Sequence, residues 1–136
     1  MKYLLDTNVL SETVKPRPEA AVVRWIDSIA PEHLFISALT VGEVRRGVEK
    51  LPEGKRKERF SDWLEEEIPV WFKGRIMPVD ENVADTWGII SSHTKRTIPV
   101  INCLLAATAI LHRAVLVTRN QRDFAIPRLE VFNPWK

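Results

Sequence analysis

The chain has 136 residues, 45% hydrophobic and 28% charged, with 20 lysines and arginines against 18 acidic residues for a formal net charge of +2. That composition excludes wholesale disorder and a second domain, so a single domain over residues 1–136 is expected. One cysteine, Cys103, excludes an internal disulfide and a cysteine-rich zinc site, and His33, His93 and His112 are scattered without ligand spacing, which leaves oxygen ligands for any metal.

Lys2-Tyr3-Leu4-Leu5 predicts a short apolar strand that stops at Asp6, where Asp6, Thr7 or Asn8 can cap the next turn. Asp6 arrives too early for the apolar region of a secretion signal. The apolar stretch from Cys103 to Leu111 is far short of a membrane span, so a cytoplasmic protein with no membrane partner is expected. Pro16 and Pro18 precede a predicted helix over Glu19–Ser28 with Ala20, Val23 and Ile26 on its apolar side, and Leu34-Phe35-Ile36 reads as a second strand. Ser37 or Thr40 opens a helix to about Lys50, and Pro52-Glu53-Gly54 is a turn. Phe60, Trp63, Leu64 and Ile68 then recur at helical spacing, with Pro69 expected to end that helix. Ile76-Met77 is a short strand, and Asp80 caps a helix carrying Val83, Ala84, Trp87 and Ile90 on one face. Asn102 is expected to open a helix to about His112, Ala114–Val117 is a strand, and Leu129–Phe132 closes the sheet. Short apolar strands alternating with helices predict an α/β sandwich around a mostly parallel sheet, whose sites gather beyond the carboxyl ends of the strands.

Four residues share that placement. Asp6 follows the first strand, Glu43 lies early in the helix after the second, Asn102 stands at a helix start, and Asp123 follows the Ala114–Val117 strand. Converging carboxylates repel and call for a cation, and hard oxygen ligands suit Mg²⁺ or Mn²⁺, which can activate water against a phosphodiester. Each residue also has a plainer reading. Asp6 and Asn102 are good helix caps, Thr40-Val41-Gly42-Glu43 fits a capping box, and Asp123 suits a turn beside Asn120.

Leu4-Leu5-Asp6-Thr7-Asn8-Val9-Leu10-Ser11-Glu12 resembles the opening of the PIN-domain ribonuclease toxins of VapBC-type toxin–antitoxin pairs. Ser37–Glu43, Pro99–Ala109 and Leu116–Phe124 resemble their later motifs in order, and Val131-Phe132-Asn133-Pro134-Trp135 is similar to the ending of one branch. The resemblance implies a PIN-like α/β/α sandwich, Mg²⁺- or Mn²⁺-dependent cleavage of single-stranded RNA, a homodimer and a cognate antitoxin. It places Asp6, Glu43, Asn102 and Asp123 in the catalytic site, with Asp6, Asn102 and Asp123 toward the metal and Thr7, Thr118 and Asn120 as supporting polar groups. Where the family pattern has Asp, this chain has Asn102, which keeps a carbonyl oxygen but no charge, so weaker metal binding and reduced cleavage are expected. The alternative is a PIN-like module that binds RNA or an antitoxin without cutting. An aspartyl-phosphate phosphatase is disfavoured, because Asp6-Thr7-Asn8-Val9-Leu10 lacks the second carboxylate and the Thr of Asp-x-Asp-x-Thr.

Arg45, Arg46, Arg119 and Arg122 neighbour the proposed site and are the candidate RNA-phosphate contacts, whereas the Lys55–Arg59 run, interleaved with Glu53 and Glu58, suits a solvated surface equally well. Burial is the expected fate of most of Trp25, Trp63, Trp71, Trp87 and Trp135, against stacking on bases. The stripe of Phe60, Trp63 and Leu64 suits either the core or a groove for an antitoxin helix, and Cys103 reads as a small buried residue rather than a nucleophile.

Overall fold

The computed structural model describes residues 1–136. Five strands form a single parallel sheet: β1 (Lys2–Leu5), β2 (Leu34–Ser37), β3 (Ile76–Met77), β4 (Ala114–Val117) and β5 (Val131–Phe132), in the spatial order β3-β2-β1-β4-β5. The helices between them are α1 (Thr7–Glu12), α2 (Ala20–Ser28), α3 (Ala38–Glu49), α4 (Lys55–Asp62), α5 (Ile68–Trp71), α6 (Glu81–His93) and α7 (Val100–Leu111). None of them is long and apolar enough to cross a membrane. The chain walks outward from β1 to β2 and β3, then returns through α6 and α7 to β4 on the other side of β1. The direction of winding therefore reverses between β1 and β4, where ligands of such sheets bind.

Side-chain alternation splits the core into two layers, since successive strand residues face opposite ways. Leu5, Ile36 and Val117 pack on one face with Val9, Val22, Val44, Ile68 and Phe72. Leu4 and Leu116 pack on the other with Leu105, Ala106, Ala109 and Phe124. Leu4, Leu5, Leu116 and Val117 are wholly buried, and each large side chain so removed from water contributes about 1.5–3 kcal/mol.

Three boundaries differ from the sequence-based expectations. Pro69 does not end its helix: α4 passes through a π-type turn at Trp63–Glu67 directly into α5, with the Ile68 N–H donating to the Trp63 carbonyl five residues back. One extra residue in that turn relieves the carbonyl that the proline ring would meet and the bond it cannot make. Asn102 does not open α7 either. Pro99 occupies the cap position, its carbonyl accepting the Cys103 N–H at 3.0 Å, so Asn102 is the third helical residue and makes no cap. The final strand is also shorter than Leu129–Phe132, covering Val131–Phe132 alone.

Glu12 gives a test of the packing at the end of α1. It is only 5% exposed, accepts the Glu19 N–H at 2.8 Å and pairs with Lys15 at 2.8 Å. Hydrogen bonding from Lys15 holds its carboxyl below the ordinary 4.5 against the opposing effect of burial, helped by the Glu19 N–H. A depressed folded-state pKa contributes stability that is present above 4.5 and fades as the pH falls through the folded value. Glu12→Gln should therefore cost about 1–2 kcal/mol at neutral pH and progressively less on acidification, read by denaturant melts at several pH values. A deficit independent of pH would show that shape, not charge, is what Glu12 supplies.

Candidate functional site

The register of β1 against β4 sets Leu5 beside Val117, and the Asp6 N–H continues the pairing to the Val117 carbonyl at 2.9 Å. Asp6 and Thr118 therefore leave the sheet side by side at its carboxyl edge. Thr118 is buried, and its hydroxyl donates to Asp6 Oδ2 at 2.8 Å. Asp6 also caps α1, its Oδ1 accepting the Thr7 N–H at 2.8 Å. The capping role expected of Asp6 and its placement at the site are thus the same geometry.

Glu43 comes from the second turn of α3. The capping-box alternative does not form: Ser37 caps α3 through the Leu39 N–H at 3.0 Å, while Glu43 Oε1 accepts the Thr7 hydroxyl at 2.7 Å. Thr7 thus joins the two carboxylates, with its amide on Asp6 and its hydroxyl on Glu43. Asp123 lies in the 3₁₀ turn Gln121–Phe124 and is exposed, its N–H donating to the Asn120 carbonyl at 3.0 Å. Asn120 contributes its own N–H to the Thr118 hydroxyl at 3.1 Å.

Burial pushes the Asp6 carboxyl above its ordinary 3.8, the Thr118 and Thr7 hydrogen bonds pull it down, and the negative charges of Glu43 and Asp123 raise it again. No basic side chain is among the groups acting on it. Asp6 therefore feels the like charges of Glu43 and Asp123 with no basic side chain to offset them. Their donors are all hard oxygens, which suits Mg²⁺ or Mn²⁺. No three carboxylate, imidazole or thiolate groups close on one point as a protein cage would. An ion held here would keep much of its water and take only one or two carboxylates from the protein.

Asn102 is half-buried and makes no side-chain hydrogen bond; α7 packs against the turn that carries Asp123. Next to it, burial pushes the Cys103 thiol up, so that sulfur is held as a neutral, buried group.

The basic residues separate into two sets. Arg45 is engaged by Glu65 at 2.7 Å and Glu49 at 3.6 Å, while Arg46 and Arg122 are exposed. Arg119 stands over the Trp135 ring at 5.2 Å. Of the tryptophans, Trp63 is buried, and Trp25 is wedged between Tyr3 and Phe132 with both ring centroids 5.2 Å away. Phe60 and Trp63 line two adjoining grooves of about 780 and 600 Å³, the smaller of which reaches Thr7 and Glu43. Leu64 is core.

In the sequence Asn8 reads only as a third capping option. Its Nδ2 donates to Thr118 Oγ1 at 3.3 Å and lies 3.4 Å from Asp6 Oδ2, and its Oδ1 accepts the Arg119 N–H at 3.3 Å. The available signal was its place two residues beyond the strand-terminal Asp6.

A parallel α/β sandwich with carboxylates gathered at its switch point defines a class, the PIN-like fold. The PIN domain family model matches residues 3–128, and the chain belongs to that family. It is 42% identical to "Toxin FitB" of Neisseria gonorrhoeae over 97% of each chain. Against "VapC ribonuclease Y4jK" of Sinorhizobium fredii it is 37% identical, over 98% of this chain and 97% of the relative. Among solved structures, the crystal structure of FitAcB from Neisseria gonorrhoeae superposes with a TM-score of 0.92 at 42% identity, covering 98% of each chain. A toxin–antitoxin complex from Klebsiella pneumoniae superposes with a TM-score of 0.71 at 25% identity over 99% of each.

Proposed function

We propose that this protein is the divalent-metal-dependent endoribonuclease toxin of a type II toxin–antitoxin pair, cutting phosphodiester bonds of single-stranded RNA. The observation that carries the reading is the buried Asp6 at the β1/β4 edge, acted on by the like charges of Glu43 and Asp123, in a chain whose relatives are named as a toxin and a ribonuclease. Asp6 and Asp123, with the Asn102 amide oxygen, would hold Mg²⁺ or Mn²⁺. Bound there, the ion supplies the positive charge that polarises a phosphodiester and makes water a stronger nucleophile.

The chain's own groups do the orienting. Thr118 and the Thr7 amide fix the two oxygens of Asp6, so the carboxylate needs no reorganisation when charge develops. The Thr7 hydroxyl holds Glu43 in register with Asp6. Arg46, Arg119 and Arg122 offer charge to the RNA backbone that the acidic cluster repels, whereas Arg45 is drawn into its ion pairs with Glu49 and Glu65.

The partners follow the relatives. The grooves beside Phe60 and Trp63 suit an apolar antitoxin segment. Exposed Ile89, Val100, Ile101 and Leu111 leave apolar surface for a symmetric homodimer. Light scattering over a wide concentration range should show the dimer, and a strict monomer throughout would remove it.

The deciding experiment incubates the protein with unstructured RNA in Mn²⁺, in Mg²⁺ and in a chelator. Cleavage in either metal, none in chelator, and sparing of the same sequence as a duplex are expected. RNA that binds but survives every metal condition would hand the protein to the rival reading, a non-catalytic binding module. Asn102 is the observation that favours that rival.

A further inference from the structure

Beside Asp123 a second recess of about 500 Å³ opens, with Arg119, Arg122, Asn133, Trp135 and Lys136 in its walls. Its character is the opposite of the site at Asp6: three cationic side chains face one carboxylate, and Trp135 is the one hydrophobic wall. Sequence places these residues in two segments, and the pairing of β4 with β5 brings them together.

The recess is built rather than accidental. Asn133 is buried; its Oδ1 accepts the Trp135 N–H at 2.9 Å and its Nδ2 donates to the Arg119 carbonyl at 3.4 Å. The Lys136 N–H closes the same turn on the Asn133 carbonyl at 3.3 Å. Arg119 is thereby held at both ends, its guanidinium over Trp135 at 5.2 Å and its N–H on Asn8, the residue that also reaches Asp6. An exposed arginine ordinarily loses much rotamer freedom on binding a phosphate; here the stacking and the backbone bonds have already taken part of that loss.

We propose that this recess is the subsite for the nucleotide next to the cleaved bond of single-stranded RNA. Arg119, Arg122 and Lys136 take its phosphate, and the Trp135–Arg119 platform takes its base. The inference rests on the ribonuclease reading of the neighbouring acidic site. Cations alone would fit any anion, but an aromatic wall beside them fits an unpaired base, because every base has a π-face. Asp123 belongs to both places, so a strand leaving the acidic site enters the recess directly. An acidic segment of a protein partner would use the cations and leave the aromatic wall without a role.

The test measures anisotropy of a labelled, unstructured RNA 12-mer in the Asp6→Asn background, where binding proceeds without cleavage. Trp135→Ala should weaken binding about tenfold, and Trp135→Phe should recover most of it. Arg122→Gln should lower the slope of log affinity against log salt by about 0.7, the value for one phosphate contact on a single strand. With Asp6 restored, the same changes should raise KM more than they lower kcat. Unchanged affinity and salt slope in both Trp135→Ala and Arg122→Gln overturn the subsite, whatever an antitoxin does there. Should Trp135→Ala fail to fold, the exposed Arg122 decides the matter by its slope alone. RNA cleavage by the unaltered chain with no effect of either variant removes the subsite and keeps the nuclease. Binding that depends on Trp135 and Arg122 in a chain that cuts nothing keeps the subsite and removes the nuclease.

Discussion

Asp6→Asn should abolish RNA cleavage and at the same time make the metal-free protein harder to melt at neutral pH. The two effects share one cause. Asp6 is held at the sheet edge by Thr118 and the Thr7 amide, but burial and the charges of Glu43 and Asp123 disfavour its ionised form. An acid whose folded-state pKa is raised contributes stability that is fully present below the ordinary 3.8 and is lost as the pH rises through the folded value. At neutral pH the metal-free protein therefore carries an unfavourable charge at Asp6, which the amide removes while still accepting the Thr7 N–H. The melting curves of Asp6 and Asn protein should coincide in acid and separate as the pH rises. Adding Mn²⁺ should then raise the melting temperature of the unaltered chain and leave the variant nearly unmoved. Cleavage should fall by at least about 10²–10³, the scale for removing a preorganised electrostatic group. A variant that melts lower than its parent at neutral pH, or that still cuts, would remove Asp6 from the centre of the mechanism.

How much of this was legible in the sequence depends on the range of the interaction. Leu4 and Leu5 point to opposite faces because strand geometry alternates locally, so the strand and its terminal Asp6 could be read from five residues. The expected convergence of Asp6, Glu43 and Asp123 rests on the topology of parallel sheets. The groups that complete the site were beyond such reasoning. Thr118 meets Asp6 across a separation of 112 residues, and Thr7 meets Glu43 across 36, contacts fixed by strand register and helix phase together. The resemblance offered Thr7 and Thr118 as supporting groups without saying which atom each would meet. Pro69 misled for a related reason. Its rule is local, whereas burial of Trp63, Leu64, Ile68 and Phe72 on one core surface holds the helix together through a π-type turn. Asn102 is displaced from the cap because Pro99, with its fixed φ and no N–H, takes that place three residues before Asn102, the first polar side chain of the helix.

Asn102→Asp should strengthen divalent-ion binding and raise cleavage. Asn102 sits in the first turn of α7, which packs against the turn bearing Asp123, and its side chain is committed to no hydrogen bond. A carboxylate there attracts a doubly charged ion far more strongly than an amide dipole does: one pair of unit charges at about 4 Å interacts by roughly 4 kcal/mol at an effective dielectric near 20. Repulsion from the three existing carboxylates and the cost of desolvation cancel much of this. A net gain of about 1–3 kcal/mol remains, five- to 150-fold in affinity. The α7 dipole stabilises the new carboxylate itself, because a negative charge in the first turn faces the positive end of the helix. Without metal, crowding by Asp6, Glu43 and Asp123 opposes that contribution, and the variant should melt below its parent. Adding Mn²⁺ should reverse the order. Mn²⁺ calorimetry, RNA cleavage and melting with and without metal, run side by side on the two proteins, read all three effects. Equal affinity and equal cleavage would show that position 102 takes no part in holding the ion, leaving Asp6 and Asp123 to do so alone.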